Sequence, residues 1–117
     1  MSSDSSESES MLSPVALYIL VALAEGERHG YAIIKDVETA TNGRIKMLPG
    51  TLYRLIKQMV IDRWIVEVDA DGEGDSRRRY YRLTPRGRRV AANEVTRLAE
   101  VVRMAQSRKL VPVTLFA

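Results

Sequence analysis

The chain contains no cysteine and a single histidine among its 117 residues. That excludes disulfides and thiolate metal sites, makes a nitrogen/sulfur zinc site untenable, and leaves the common nucleophile–base triads without members. Paired carboxylates occur only in solvated stretches, so neither an enzyme nor a metal or cofactor site is expected. Long apolar runs are also missing. The oiliest, PVALYILVALA at residues 14–24, falls well short of the roughly 20 residues that span a bilayer. No basic region precedes it, so it reads as a core helix rather than a membrane span or a secretion signal. The cysteine-free composition fits a cytoplasmic protein.

Charge is plentiful but unevenly placed. The formal balance is +3, yet residues 1–10, MSSDSSESES, hold three acids and no base. The rest carries 18 basic against 12 acidic side chains. A basic domain behind an acidic, disordered tail (1–10) points to a polyanionic partner.

Periodicity and punctuation divide the chain beyond this tail. Ser13 and Pro14 open a first helix that runs to about Glu25, with Gly26 as its stop. A second helix is expected from His29 to Thr41, with Tyr31, Ile33, Ile34 and Val37 as its buried stripe and Asn42-Gly43 as its end. A third runs from Pro49 to about Asp62 and buries Leu52, Leu55, Ile56 and Met59. The period then changes to two. IVEVD (65–69) and RRYYRL (78–83) flank ADGEGDSR, which predicts a hairpin with Val66 and Val68 on one face of the first strand and Tyr81 and Leu83 on one face of the second. Thr84-Pro85 caps a last helix reaching about Arg108, in which Ala91, Val95, Leu98, Val102 and Ala105 step as a heptad seam suited to homodimerisation. The apolar end, LVPVTLFA, is broken by Pro112.

Three helices, a two-stranded wing and a long helix describe a mainly α winged helix-turn-helix with a C-terminal dimerisation helix. The expected divisions are the tail at 1–10, a DNA-binding domain at 11–83 and a dimerisation segment at 84–117. A helix in a major groove must bury one face and offer donors on the other. In LPGTLYRLIKQM (48–59) the outward set is Thr51, Arg54, Lys57 and Gln58. Arg54 and Lys57 suit base edges, Gln58 suits adenine, and Tyr53 can half-bury its ring. Gly50 lets the backbone approach closely, and the free N–H groups beside it favour a phosphate. Seven arginines and no acid lie between Ser76 and Asn93. Arg77 and Arg78 would meet the sugar-phosphate backbone or a minor groove from the wing. Thr51, Tyr53, Lys35 and Arg79 are further candidates for backbone contact, and His29 caps the second helix or faces a phosphate. Pairing of some wing arginines with Asp71, Glu73 and Asp75, and simple solvation of Arg86, Arg88 and Arg89, are the structural alternatives.

HGY (29–31), PGTLYRLIKQM (49–59) and RRRYYRLTPRGRRV (77–90) together resemble the PadR family of bacterial transcription regulators, in that family's order and spacing. The short single C-terminal helix resembles its compact subgroup. The resemblance implies a homodimeric repressor on double-stranded, inverted-repeat DNA, often released by a small molecule. A flat aromatic or apolar effector between the long helices is what such a dimer could hold. One departure stands out. Where the family has Glu-x-x-Gly, this chain has Val60-Ile61-Asp62-Arg63. Either Arg63 takes the left-handed geometry of that glycine at a cost of about 1 kcal/mol or more, or the helix ends differently. The rival functional reading is a winged-helix module that binds protein rather than DNA, favoured by Val60, Ile61 and the oily C-terminus.

Overall fold

The computed structural model describes residues 12–68 and 79–112. The acidic tail, the hairpin tip with Arg77 and Arg78, and residues 113–117 lie outside the described residues. Helix α1 spans Pro14–Ala22 and tightens into a 3₁₀ turn at Leu23–Glu25, where the sequence suggests one continuous helix. Its N-terminus is capped by the Ser13 side chain, which accepts from the Ala16 N–H at 3.1 Å. Strand β1 is Arg28–His29, helix α2 is Gly30–Ala40 and helix α3 is Pro49–Ile61. Strands β2 (Ile65–Val68) and β3 (Tyr80–Leu83) lead to helix α4, Pro85–Ser107.

The sheet has three strands in the order β1-β3-β2, all antiparallel, rather than two. A two-residue strand carries no periodicity of its own, so β1 exists only through its pairing of Arg28 with Tyr81 and His29 with Tyr80. Register also corrects the face assigned to β2. Ile65 pairs with Leu83 and Glu67 with Tyr81, so these share the inner face, where Ile65 and Tyr81 are buried. Val66 and Val68 lie opposite Arg82 and Tyr80 on the outer face and are only half-buried. The IVEV pattern is ambiguous because three of its four residues are apolar; cross-strand partners decide which way it turns.

One core joins these elements. Ile19, Leu20 and Leu23 from the first helical segment meet Ile33 and Val37 of α2, and Leu52, Ile56 and Met59 of α3, with Ile65 and Tyr81 closing it from the sheet. On α4 only the first turns reach this core, through Val90 and Ala91. Tyr31, expected in the buried stripe of α2, is 64% exposed. Ile33 and Val37 fill the core-facing side, and a residue two positions before Ile33 points to the opposite side of a helix.

Helices α2, α3 and α4 end alike. Each terminates with one residue in the left-handed region: Asn42 at φ 54°, Arg63 at φ 66° and Lys109 at φ 60°. At the end of α3 the Arg63 N–H donates to the Val60 carbonyl at 3.0 Å and the Trp64 N–H to the Met59 carbonyl at 2.9 Å. This is the Schellman closure that glycine favours, here carried by arginine. Arg63 therefore keeps the family's geometry rather than ending the helix another way. The turn is held from outside: the Arg86 Nε donates to the Asp62 carbonyl at 3.1 Å, and the Thr84 hydroxyl lies 2.7 Å from the Arg63 carbonyl.

Arg63→Gly relieves the left-handed strain and, after the added entropy of the unfolded chain, raises stability by about 0.5–1 kcal/mol. In a thermal melt the midpoint rises by several degrees, whereas Arg63→Ala gives no gain. Stability in acid depends on a different residue. Glu94 is buried on α4, and its hydrogen bond to Arg97, whose Nε donates at 3.2 Å, holds its carboxyl below the usual carboxylate range. A carboxyl depressed in the folded state adds stability above its unfolded pKa and loses it as pH falls through the folded one. Glu94→Gln therefore removes part of the acid sensitivity below about pH 4.5 in denaturant titrations, and leaves the slope near neutrality unchanged.

Candidate nucleic-acid interface

Helix α3 is built to show one face. Leu52, Ile56 and Met59 are buried, and Gly50, Tyr53, Arg54, Lys57, Gln58 and Ile61 are exposed. At 100° per residue Gly50, Arg54, Lys57 and Ile61 fall in a single row opposite the buried one. Thr51 lies at the flank, half-buried. The first turn has no side-chain cap, and its first backbone bond is from the Leu52 N–H to the Leu48 carbonyl at 3.0 Å. The N–H groups of Gly50 and Thr51 are thus left for an outside acceptor. Gly50 is demanded by nothing in the fold: its φ is ordinary, and a Cβ placed on it would meet no atom within 4 Å.

Helix α2 sets the depth of α3. His29 is its N-cap, with Nδ1 accepting from the Ala32 N–H at 3.2 Å. The His29 ring also packs edge-on to Tyr80 of the wing, with centroids 5.4 Å apart. Capping is thus one role the structure gives this histidine, and it engages Nδ1. Behind it Gly30 leaves room for the phenol of Tyr53, whose ring carbon Cζ would lie 2.8 Å from a Cβ at that position. Tyr53 is therefore half-exposed with its hydroxyl end against the start of α2. Lys35 sits on the outward side of α2, its ammonium 5.9 Å from the Tyr31 ring. The exposed Tyr31 is a surface feature that the sequence pattern assigns to the core.

On the wing, Arg79 is exposed and pairs with Glu67 at 3.2 Å. Arg82 pairs with Glu27 at 3.3 Å. Both pairs are open to solvent, so they hold the guanidinium groups weakly and leave them available to a stronger anion. Among the described residues the wing arginines Arg79 and Arg82 thus pair with Glu67 and Glu27; the hairpin-tip acids lie outside the described residues. Tyr81 lies beneath, its hydroxyl pushed above the usual tyrosine range by burial, by the Glu67 carboxylate and by Tyr53, with Arg79 opposing. Arg86 and Arg88 do not simply solvate the last helix: Arg86 donates to the Asp62 carbonyl, and Arg88 to the Ala24 carbonyl at 3.1 Å. The Gln58 amide donates to the Asp62 carboxylate at 3.3 Å, so its use elsewhere requires that bond to be exchanged. No cluster of three or more metal-ligating side chains occurs among the described residues.

A helix with an exposed cationic face, carried by a preceding helix and flanked by a basic wing, defines a winged helix-turn-helix. Its relatives sharpen that class. The profile of the Transcriptional regulator PadR-like family matches residues 19–93, and the chain belongs to this family. An uncharacterized protein X of Lysinibacillus sphaericus is 33% identical over 87 residues, covering 71% of this chain and 76% of that protein. An uncharacterized 37.1 kDa protein in transposon Tn4556 of Streptomyces fradiae is 31% identical over 85 residues, of which this chain spans 23% of the length. Among solved structures, a transcriptional regulator from Clostridium thermocellum superposes with a TM-score of 0.69 at 27% identity, covering 80% of this chain and 90% of that one. A PadR family transcription regulator from Clostridium difficile also gives 0.69, at 21% identity and covering 81% and 97%. The protein is a DNA-binding transcriptional regulator and not an enzyme. No helix among the described residues is long and apolar enough to cross a membrane.

The packing of Tyr53 on Gly30 gives a direct test of how α3 is positioned. Gly30→Ala forces the phenol off its seat and costs about 1–3 kcal/mol in chemical denaturation. In the Gly30→Ala, Tyr53→Ala double variant the extra cost of the alanine at 30 shrinks, because the clash has been removed.

Proposed function

We propose that the protein is a cytoplasmic homodimeric repressor that binds an inverted repeat. Residues 11–83 act as the DNA-binding unit and residues 84–117 as the pairing segment. The observation that carries the dimer is the uncovered side of α4. Past Ala91 the seam leaves the core: Val95 is 48% exposed and Met104 51%, with Leu98 and Val101 also in solvent. Val102 and Ala105 are half-covered. A lone chain leaves this side in water, and a second copy offers the same side in return. Two α3 helices related by the resulting two-fold would address half-sites about one helical turn, roughly 34 Å, apart.

Within each half-site Arg54 and Lys57 read base edges, with Gln58 as an adenine partner once released from Asp62. Gly50, Thr51, Tyr53, His29, Lys35 and Arg79, with Arg77 and Arg78, follow the backbone. The glycine at 50 supports this reading because the fold makes no demand for it, while a closely approaching phosphate would. Release by a small molecule would act at the same α4 seam: Val95, Leu98, Ala99, Val102, Arg103 and Gln106 line an apolar groove on the lone chain, and a flat aromatic or apolar compound would compete there with the partner helix or lie between the two.

Electrophoretic shift with duplex taken from upstream of the protein's own gene tests the reading. Affinity is expected to fall with salt at a slope of about −0.9 per phosphate contact, and salt-independent binding would overturn it. Arg54→Ala costs about 1–3 kcal/mol and relaxes sequence preference. Gly50→Ala separates fold from function: its melting temperature is unchanged or higher, because alanine is the better helix former, yet its DNA affinity falls.

A further inference from the structure

Helix α3 carries one more exposed side chain in the row that faces away from the core. Ile61 is 63% exposed, more than any other apolar residue of the helix. It follows Lys57 by four residues and Arg54 by seven, so all three project along one line. The carbonyl turn beyond it is already closed by Arg63, Trp64 and Arg86, so Ile61 is not part of the helix stop. What a major groove offers an aliphatic side chain is the C5-methyl of thymine, the one hydrocarbon group on its floor.

We infer that Ile61 is a specificity residue that reads a thymine methyl in each half-site. The inference rests on the proposal that α3 lies in the major groove. Seven residues of helix advance about 10 Å, close to three steps of about 3.4 Å along the duplex. The thymine therefore lies about three base pairs from the pair that Arg54 contacts and about two from that of Lys57. The contact is hydrophobic and adds no phosphate neutralisation, so Ile61 contributes to sequence choice and not to the salt dependence.

The test uses the full chain and a high-affinity duplex selected from a random pool. Each thymine of one half-site is replaced in turn by deoxyuridine, which removes the methyl and nothing else, and affinity is read by fluorescence anisotropy. The unmodified protein is expected to lose about fourfold at one thymine, the equivalent of one buried methyl group. Ile61→Ala, at an exposed position that leaves the fold intact, is expected to bind the thymine duplex more weakly and to lose its sensitivity to deoxyuridine at that position. Its salt slope stays that of the parent. Equal sensitivity in the two proteins, or no sensitive thymine at all, overturns the role of Ile61 while leaving the DNA-binding reading intact. Failure of the parent to select any duplex overturns both.

Discussion

The carbonyl oxygen of Trp64 is the point on which the arrangement turns. The Thr84 N–H donates to it at 3.0 Å, and the Thr84 hydroxyl lies 2.9 Å away. The same hydroxyl accepts the Gly87 N–H at 2.9 Å and so caps α4. Gly87 lies so close to this carbonyl that a Cβ there would be 2.8 Å from the Trp64 carbonyl carbon. One peptide group thus ties the end of α3, the start of β2, the end of β3 and the start of α4. Because Arg63 holds the turn just before it, the exit direction of α3 fixes where α4 begins. If α3 reads DNA and α4 pairs two chains, as proposed, the two functions are coupled through about one turn of backbone.

The arginines divide into two kinds through this framework. Arg86 and Arg88 spend donors on the Asp62 and Ala24 carbonyls, one at the end of α3 and one in the 3₁₀ turn after α1. Arg28 does the same for the Ala22 carbonyl at 2.9 Å. Arg54 and Lys57 are exposed, and among the described residues Arg79 pairs with the exposed Glu67 carboxylate. Net positive charge alone does not separate these roles; the distinction lies in whether a backbone acceptor is within reach.

Much of this was legible in the chain. Ser13-Pro14 and Thr84-Pro85 mark helix starts by a mechanism local to a few residues, and both caps form as their chemistry dictates. The apolar rows of α3 and the opposite, basic side follow from spacing alone. What the sequence hides is set by distant partners. Arg28–His29 becomes a strand only because Tyr80 and Tyr81 run beside it. Tyr31 is apolar enough to be assigned inward, but Ile33 and Val37 occupy that direction. Val66 and Val68 lose the inner face to Ile65 through the register with Leu83. Arg63 could have redirected the helix end, and only the hydrogen bonds to Val60 and Met59 show that it does not. Within α3, the place of Ile61 in the Arg54–Lys57 row follows from spacing, but its exposure does not, because an isoleucine is by composition a core residue.

In the proposed dimer, pairing through α4 would turn one modest reading surface into a regulator, since two half-sites on one rigid body multiply their selectivity. Native mass spectrometry of the protein with a duplex carrying one inverted repeat measures this most directly. Two chains per duplex, and a free protein of twice the chain mass at micromolar concentration, are the expected result. A free chain of single mass that loads one copy per duplex would contradict it.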